Sequence, residues 1–116
     1  MDKNPKTTGE LLNTIKNTKC LIIKFSASWC GPCKNKTFLE NYYNVKNTYN
    51  DNLDVKFLDF DVDKNKNFVE DEKLKFNITS VPTFLIYGNN KLLNQYNGTN
   101  CLDKIDADIK IILENL

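Results

Sequence analysis

A chain of 116 residues carrying 16 basic and 15 acidic side chains, for a net charge of +1, has the size of one domain with one core. Its lysines are scattered and form no basic stripe, which excludes a dedicated nucleic-acid binder. The longest apolar run, Cys20 to Ile23, stops at Lys24, far short of the roughly 20 residues a membrane-spanning helix needs.

The first ten residues are polar, with no apolar core before a small-residue cleavage site, so the expectation is a cytoplasmic protein, or an organellar one if a leader has been removed. Glycosylation-type triplets begin at Asn35, Asn77 and Asn97. In so asparagine-rich a chain they are read as accidental.

Along the chain, Leu11, Leu12 and Ile15 take a one-sided helical spacing after the candidate caps Thr7 and Thr8, and this first helix ends near Asn17. Cys20 to Ser26 is short, apolar and β-branched, which suits a buried central strand. Trp29-Cys30-Gly31-Pro32-Cys33 follows directly. Behind it, Phe38, Leu39, Tyr42, Tyr43 and Val45 mark one face of a second helix, whose first turn can hold Pro32.

Val55 to Val62 alternates well enough to be a strand, and Phe68 to Phe76 reads as a short helix. Thr83 to Tyr87 and Lys91 to Tyr96, joined by Gly88-Asn89-Asn90, form an antiparallel hairpin. Ile105, Ile109, Ile112, Leu113 and Leu116 share the face of a last helix capped by Thr99 or Asn100. The order α, β, α, β, α, β, β, α places the chain in the α/β class, as one domain over residues 1–116.

Four cysteines allow disulfides, metal or redox chemistry, and spacing separates these. Cys30 and Cys33 form the one C-x-x-C, Cys20 and Cys101 stand alone, and the chain has no histidine to complete a zinc tetrahedron. No bound metal or cofactor is expected. With two residues between them, both sulfurs reach one side of a helical turn and can alternate between dithiol and disulfide. Cys30, at the helix start, faces unpaired N–H groups that favour a thiolate, which makes it the nucleophile. Cys33, one turn inside and shielded, then resolves the mixed disulfide. From the spacing alone, a structural pair or half of a metal site remains open.

The context is more specific. Phe25-Ser26-Ala27-Ser28-Trp29-Cys30-Gly31-Pro32-Cys33-Lys34, with Val81-Pro82-Thr83-Phe84 downstream and Gly98 beyond, closely resembles the thioredoxin family, and the resemblance covers nearly the whole chain. It implies a thioredoxin fold, a central mixed sheet of about four strands with helices on both faces. By the same resemblance Trp29 shields the cysteine pair and Pro82 is the cis-proline facing it. Val81 then offers its backbone to an extended substrate peptide, and Gly98 borders the substrate groove.

One position departs from the family. Thioredoxins usually carry a buried aspartate six residues before the nucleophile, where this chain has Lys24; many bacterial relatives have a lysine on the next strand, where this chain has Asp59. A reversed ion pair between Lys24 and Asp59 is the expectation, against the alternative that Lys24 reaches its ammonium to solvent.

The implied activity is protein disulfide reduction by a monomer in a reducing compartment, with disulfide-containing proteins as substrates. A separate reductase supplies the electrons, since the chain has no dinucleotide-binding glycine loop. Two alternatives stand beside it. One is a specialised redoxin resembling tryparedoxin or nucleoredoxin proteins, whose usual W-C-P-P-C motif Gly31 argues against; the other is an adaptor that binds partners at the Pro82 groove. Cys20 is expected in the core, and Cys101 near the surface with a regulatory or dimer-forming disulfide open to it.

Overall fold

In the computed structural model, which describes residues 4–116, the run Cys20–Ser26 forms strand β1 inside a four-stranded sheet. It is buried from Cys20 to Phe25 on both of its faces, as its mostly apolar composition, broken within that run only by Lys24, favours. Strand β2 (Val55–Asp61) pairs with it in parallel on one side, and β3 (Thr83–Gly88) pairs antiparallel on the other. Strand β4 (Lys91–Asn97) completes the order β2-β1-β3-β4 as an antiparallel edge. The β3–β4 turn places Asn89 and Asn90 at φ of 50° and 69°, left-handed values that asparagine tolerates and that match the twist of a tight hairpin.

Helix α1 (Thr8–Asn17) is capped by Thr7, whose hydroxyl accepts the Glu10 N–H at 3.1 Å. Its Leu11 and Ile15, with Phe68 of the short helix α3 (Lys66–Val69), cover one sheet face over Leu21, Ile23, Phe25 and Phe60. Helices α2 (Lys36–Thr48) and α4 (Leu102–Glu114) cover the other, packing Phe38, Tyr42, Ile105 and Ile109 over Cys20, Ile22, Phe84 and Ile86. Among the described residues no helix is long and apolar enough to cross a membrane.

Three sequence expectations need correction. The helix foreseen over Phe68 to Phe76 is only four residues long and starts at Lys66. Its continuation is diverted at Asp71, whose carboxylate accepts the Lys73 N–H at 2.8 Å in a local turn; Lys75 then takes a φ of 55°. The N-cap of α4 is Cys101, without a side-chain bond, rather than Thr99 or Asn100, and Leu116 lies exposed beyond the helix end. Cys101 does not lie at the surface as expected: it is a free thiol packed with Ile105 and Ile109 in the core cluster.

Candidate active site

The chain leaves β1 at Ser26 and turns at once, the Cys30 N–H donating to the Ala27 carbonyl at 3.1 Å. Pro32–Lys34 then form a single 3-10 turn, preceded by Gly31 in a helical conformation. This turn is separate from α2, a fourth correction. Asn35, with ψ at 126°, breaks the helical path and turns its side chain onto the Phe38 N–H at 3.0 Å. As N-cap of α2, Asn35 satisfies one of the donors that the helix start leaves without a partner. Cys33 therefore stands in the 3-10 turn rather than one turn inside a long helix, and the dipole of α2 begins only after both cysteines.

Cys30 and Cys33 are joined as a disulfide with their Cα atoms 5.3 Å apart, inside the range that a disulfide spans. They share a small cluster with Ala27, Val62 and Val81. Both are nearly buried, at 4% and 6% exposure, so burial does not separate nucleophile from resolver. Hydrogen bonding does: the Cys33 N–H donates to Cys30 Sγ at 3.2 Å. That donor is in place to stabilise negative charge on Cys30 when the bond opens. Cys30 Sγ also lies 3.6 Å from the Val81 carbonyl oxygen, and the peptide between Val81 and Pro82 is cis.

The remaining groove residues surround this pair. Trp29 is 67% exposed, held by its Nε1–H donating to Asp63 Oδ2 at 2.8 Å, so it forms a wall rather than part of the core. A cleft of about 270 Å³ opens between Trp29, Val62, Lys66, Val69, Ile78 and Val81. A larger opening of about 630 Å³, near Asn4, Pro5, Lys6 and Lys64, contains no cysteine and is not the reaction site. Gly98 has a φ of +93° and donates its N–H to the Pro82 carbonyl at 2.8 Å.

Lys24 of β1, the strand that leads into the cysteine turn, belongs to a charge cluster. Lys24 is 6% exposed and its Nζ sits 3.4 Å from Asp59 Oδ1. The ammonium also stands 4.3 Å from the centroid of the Tyr42 ring, a favourable place for a cation. Asp59 accepts the Tyr42 hydroxyl at 2.7 Å on Oδ1 and Lys46 Nζ at 3.0 Å on Oδ2. Burial, reinforced by the neighbouring Asp59, pushes the Tyr42 hydroxyl well above the ordinary tyrosine range, so it remains a donor. Two lysines thus share one carboxylate, Lys24 buried and Lys46 partly exposed, with one positive charge in excess.

The sequence places Tyr42 on one face of the second helix and gives no site role to Lys46, Asp63, Thr83 or Asn97. The signal for Tyr42 was available in principle, because a buried tyrosine hydroxyl needs a partner. Outside the site, burial and then Asp108 push the Cys20 thiol up to about 12, and burial also raises that of Cys101.

A mixed α/β sheet with a reversible cysteine pair at the carboxyl end of its central strand, and an exposed groove beside the sulfurs, defines a thiol–disulfide oxidoreductase. The comparisons with known proteins agree. The family profile described as Thioredoxin matches residues 4–111. Thioredoxin of Ophiophagus hannah is 33% identical over 103 residues, covering 88% of this chain and 86% of that one. Thioredoxin 1 of Plasmodium falciparum is 32% identical over 114 residues, covering 98% and 96%. The crystal structure of thioredoxin from Trypanosoma brucei brucei matches with a TM-score of 0.73 over 93% of this chain and 87% of that one, at 24% identity, which speaks to the fold. The chain belongs to the thioredoxin family.

Proposed function

We propose that this chain is a protein disulfide reductase that cycles Cys30 and Cys33 between dithiol and disulfide. The observation that carries the assignment of roles is the Cys33 N–H donating to Cys30 Sγ. In the reduced protein, the Cys30 thiolate attacks one sulfur of a substrate disulfide. A mixed disulfide forms, and the other substrate sulfur leaves as a thiolate. Cys33, deprotonated, then attacks Cys30 Sγ, and the second substrate thiolate leaves. The substrate gains two electrons, and the protein is left as the Cys30–Cys33 disulfide.

The electrons return from a separate thioredoxin reductase, so the chain acts as an electron carrier between that enzyme and disulfide-containing proteins. We place this cycle in the cytoplasm and assign it to a monomer. A reducing compartment is supported by the cysteine usage: of four cysteines, Cys20 and Cys101 stay free and the single disulfide is the C-x-x-C itself.

Insulin reduction, driven first by dithiothreitol and then by thioredoxin reductase with NADPH, tests the proposal. Turnover with both supports it. Turnover with dithiothreitol alone indicates a specialised redoxin with another electron donor, and no turnover indicates an adaptor.

A further inference from the structure

Thr83 is fully buried, at 0% exposure, although it carries a hydroxyl. Its Oγ1 lies 2.6 Å from the Ser80 carbonyl oxygen and 2.9 Å from the terminal side-chain atom of Asn97. A hydroxyl has one proton and cannot donate to two acceptors. The arrangement closes when the Asn97 amide turns its Nδ2 toward Thr83, an orientation fixed by hydrogen-bond logic. Asn97 then donates to Thr83, and Thr83 donates to Ser80. The next residue, Gly98, donates its N–H to the Pro82 carbonyl at 2.8 Å. Two successive residues of β4 and its end therefore grip both ends of the segment 80–82.

The middle of that segment is Val81, whose carbonyl faces Cys30 Sγ. Val81 lies beyond the β1–β3 and β3–β4 ladders, which both end at Thr83. Its backbone edge is thus held from behind and left without a strand partner in front.

We propose that Thr83 and Asn97 are positioning residues: they hold the Val81 backbone edge in register for the extended backbone flanking a substrate disulfide. The proposal rests on the reading that Cys30 reduces protein disulfides. A small disulfide with no peptide backbone needs only access to the sulfur. A protein disulfide needs the edge as well, and its binding weakens when the edge loses its support.

The test compares wild type, Thr83→Val, Thr83→Ser and Asn97→Asp on insulin and on a small aromatic disulfide. Aspartate has no N–H to give, so it competes for the single Thr83 proton and releases Ser80. Thr83→Val and Asn97→Asp are expected to raise the KM for insulin about fivefold relative to the KM for the small disulfide, the scale of one lost hydrogen bond. Thr83→Ser, which keeps the hydroxyl, restores the wild-type ratio. Asn97 is exposed, so its variant reports even where Thr83→Val does not fold. An unshifted ratio in Asn97→Asp, or equal losses on both substrates, overturns the positioning role while disulfide reduction stands. Wild type inactive on both substrates overturns the reduction itself, and the positioning role with it.

Discussion

Lys24 and Asp59 face each other across the parallel strands β1 and β2, paired in backbone register and with Nζ 3.4 Å from Oδ1. An ion pair with a buried member is stabilising only when its remaining valences are met, and here the Tyr42 hydroxyl and Lys46 meet those of the partly exposed carboxylate. Every buried side-chain nitrogen and oxygen among the described residues has a partner.

Lys24→Met removes one of the two cations while Lys46 and Tyr42 still satisfy Asp59, so the fold survives. A cation whose field reaches the cysteines favours the thiolate, and hence the reduced state. Its loss is expected to make the protein more reducing, by about tenfold in the equilibrium with glutathione, or about 1.4 kcal/mol. Lys24→Asp should shift the equilibrium further in the same direction. Equal glutathione equilibria in all three proteins would show that the cluster does not reach the sulfurs.

Cys30→Ser abolishes disulfide reduction, because it removes the sulfur that the Cys33 N–H stabilises as a thiolate. Cys33→Ser leaves attack intact and stalls at the mixed disulfide, since the resolving thiolate is gone. Mass spectrometry after exposure to a disulfide substrate should find a stable adduct in Cys33→Ser only. An adduct in Cys30→Ser would reverse the two roles.

Alkaline pH should loosen the core through Cys20 and Tyr87. Burial pushes both up to about 12, from 9.0 for the thiol and 10.0 for the phenol. A folded value above the unfolded one gives stability that is complete below about pH 9 and is lost as pH rises toward about 12, at up to about 1.4 kcal/mol per pH unit for each group. Urea midpoints measured across that window should fall. They should fall less steeply in Cys20→Ala, whose neutral-pH stability is lower because of the vacated volume.

Gly98→Ala separates conformational cost from crowding. A Cβ at Gly98 would meet nothing within 4 Å, yet φ is +93°, so the expected loss is about 1–2 kcal/mol from the left-handed backbone alone. At Gly88 the balance reverses: a Cβ would come 2.7 Å from Leu93 Cδ1 and 3.2 Å from Ile112 Cγ1, without a positive φ. Gly88→Ala is therefore expected to act by repacking β4 against α4. Urea midpoints of the two variants, together with a Gly88→Ala, Leu93→Ala double variant that regains stability, check the distinction.

The sheet was legible because its strands advertise themselves. Cys20 to Phe25 is apolar but for Lys24, and the Asn89-Asn90 turn carries residues suited to a positive φ. What escaped was settled by side chains acting at short range. Asn35 ends the active-site turn by capping α2, and Asp71 ends α3 by bonding Lys73; each substitutes a local polar bond for one more turn of helix. Apolar periodicity does not record such choices. The cysteine pair and Lys24 were visible as residues out of their usual company. Tyr42, Lys46, Thr83 and Asn97 were not, because their partners come from distant segments and pairing across a sheet leaves no spacing to read.

The burial of Cys20 and Cys101 sets how many electrons one molecule carries. Cys20 and Cys101 are free thiols packed in the core cluster beneath α2 and α4 and raised above their ordinary range by burial, whereas Cys30 and Cys33 pack against Val62 and Val81 at the edge of the open cleft, so the folded chain offers its partners a single two-electron couple. A native thiol titration should therefore count two sulfurs in the reduced protein and none in the oxidised one, and the other two of the four cysteines should react only after unfolding. Each encounter with a substrate then transfers one electron pair, with no internal reserve to pass on a second.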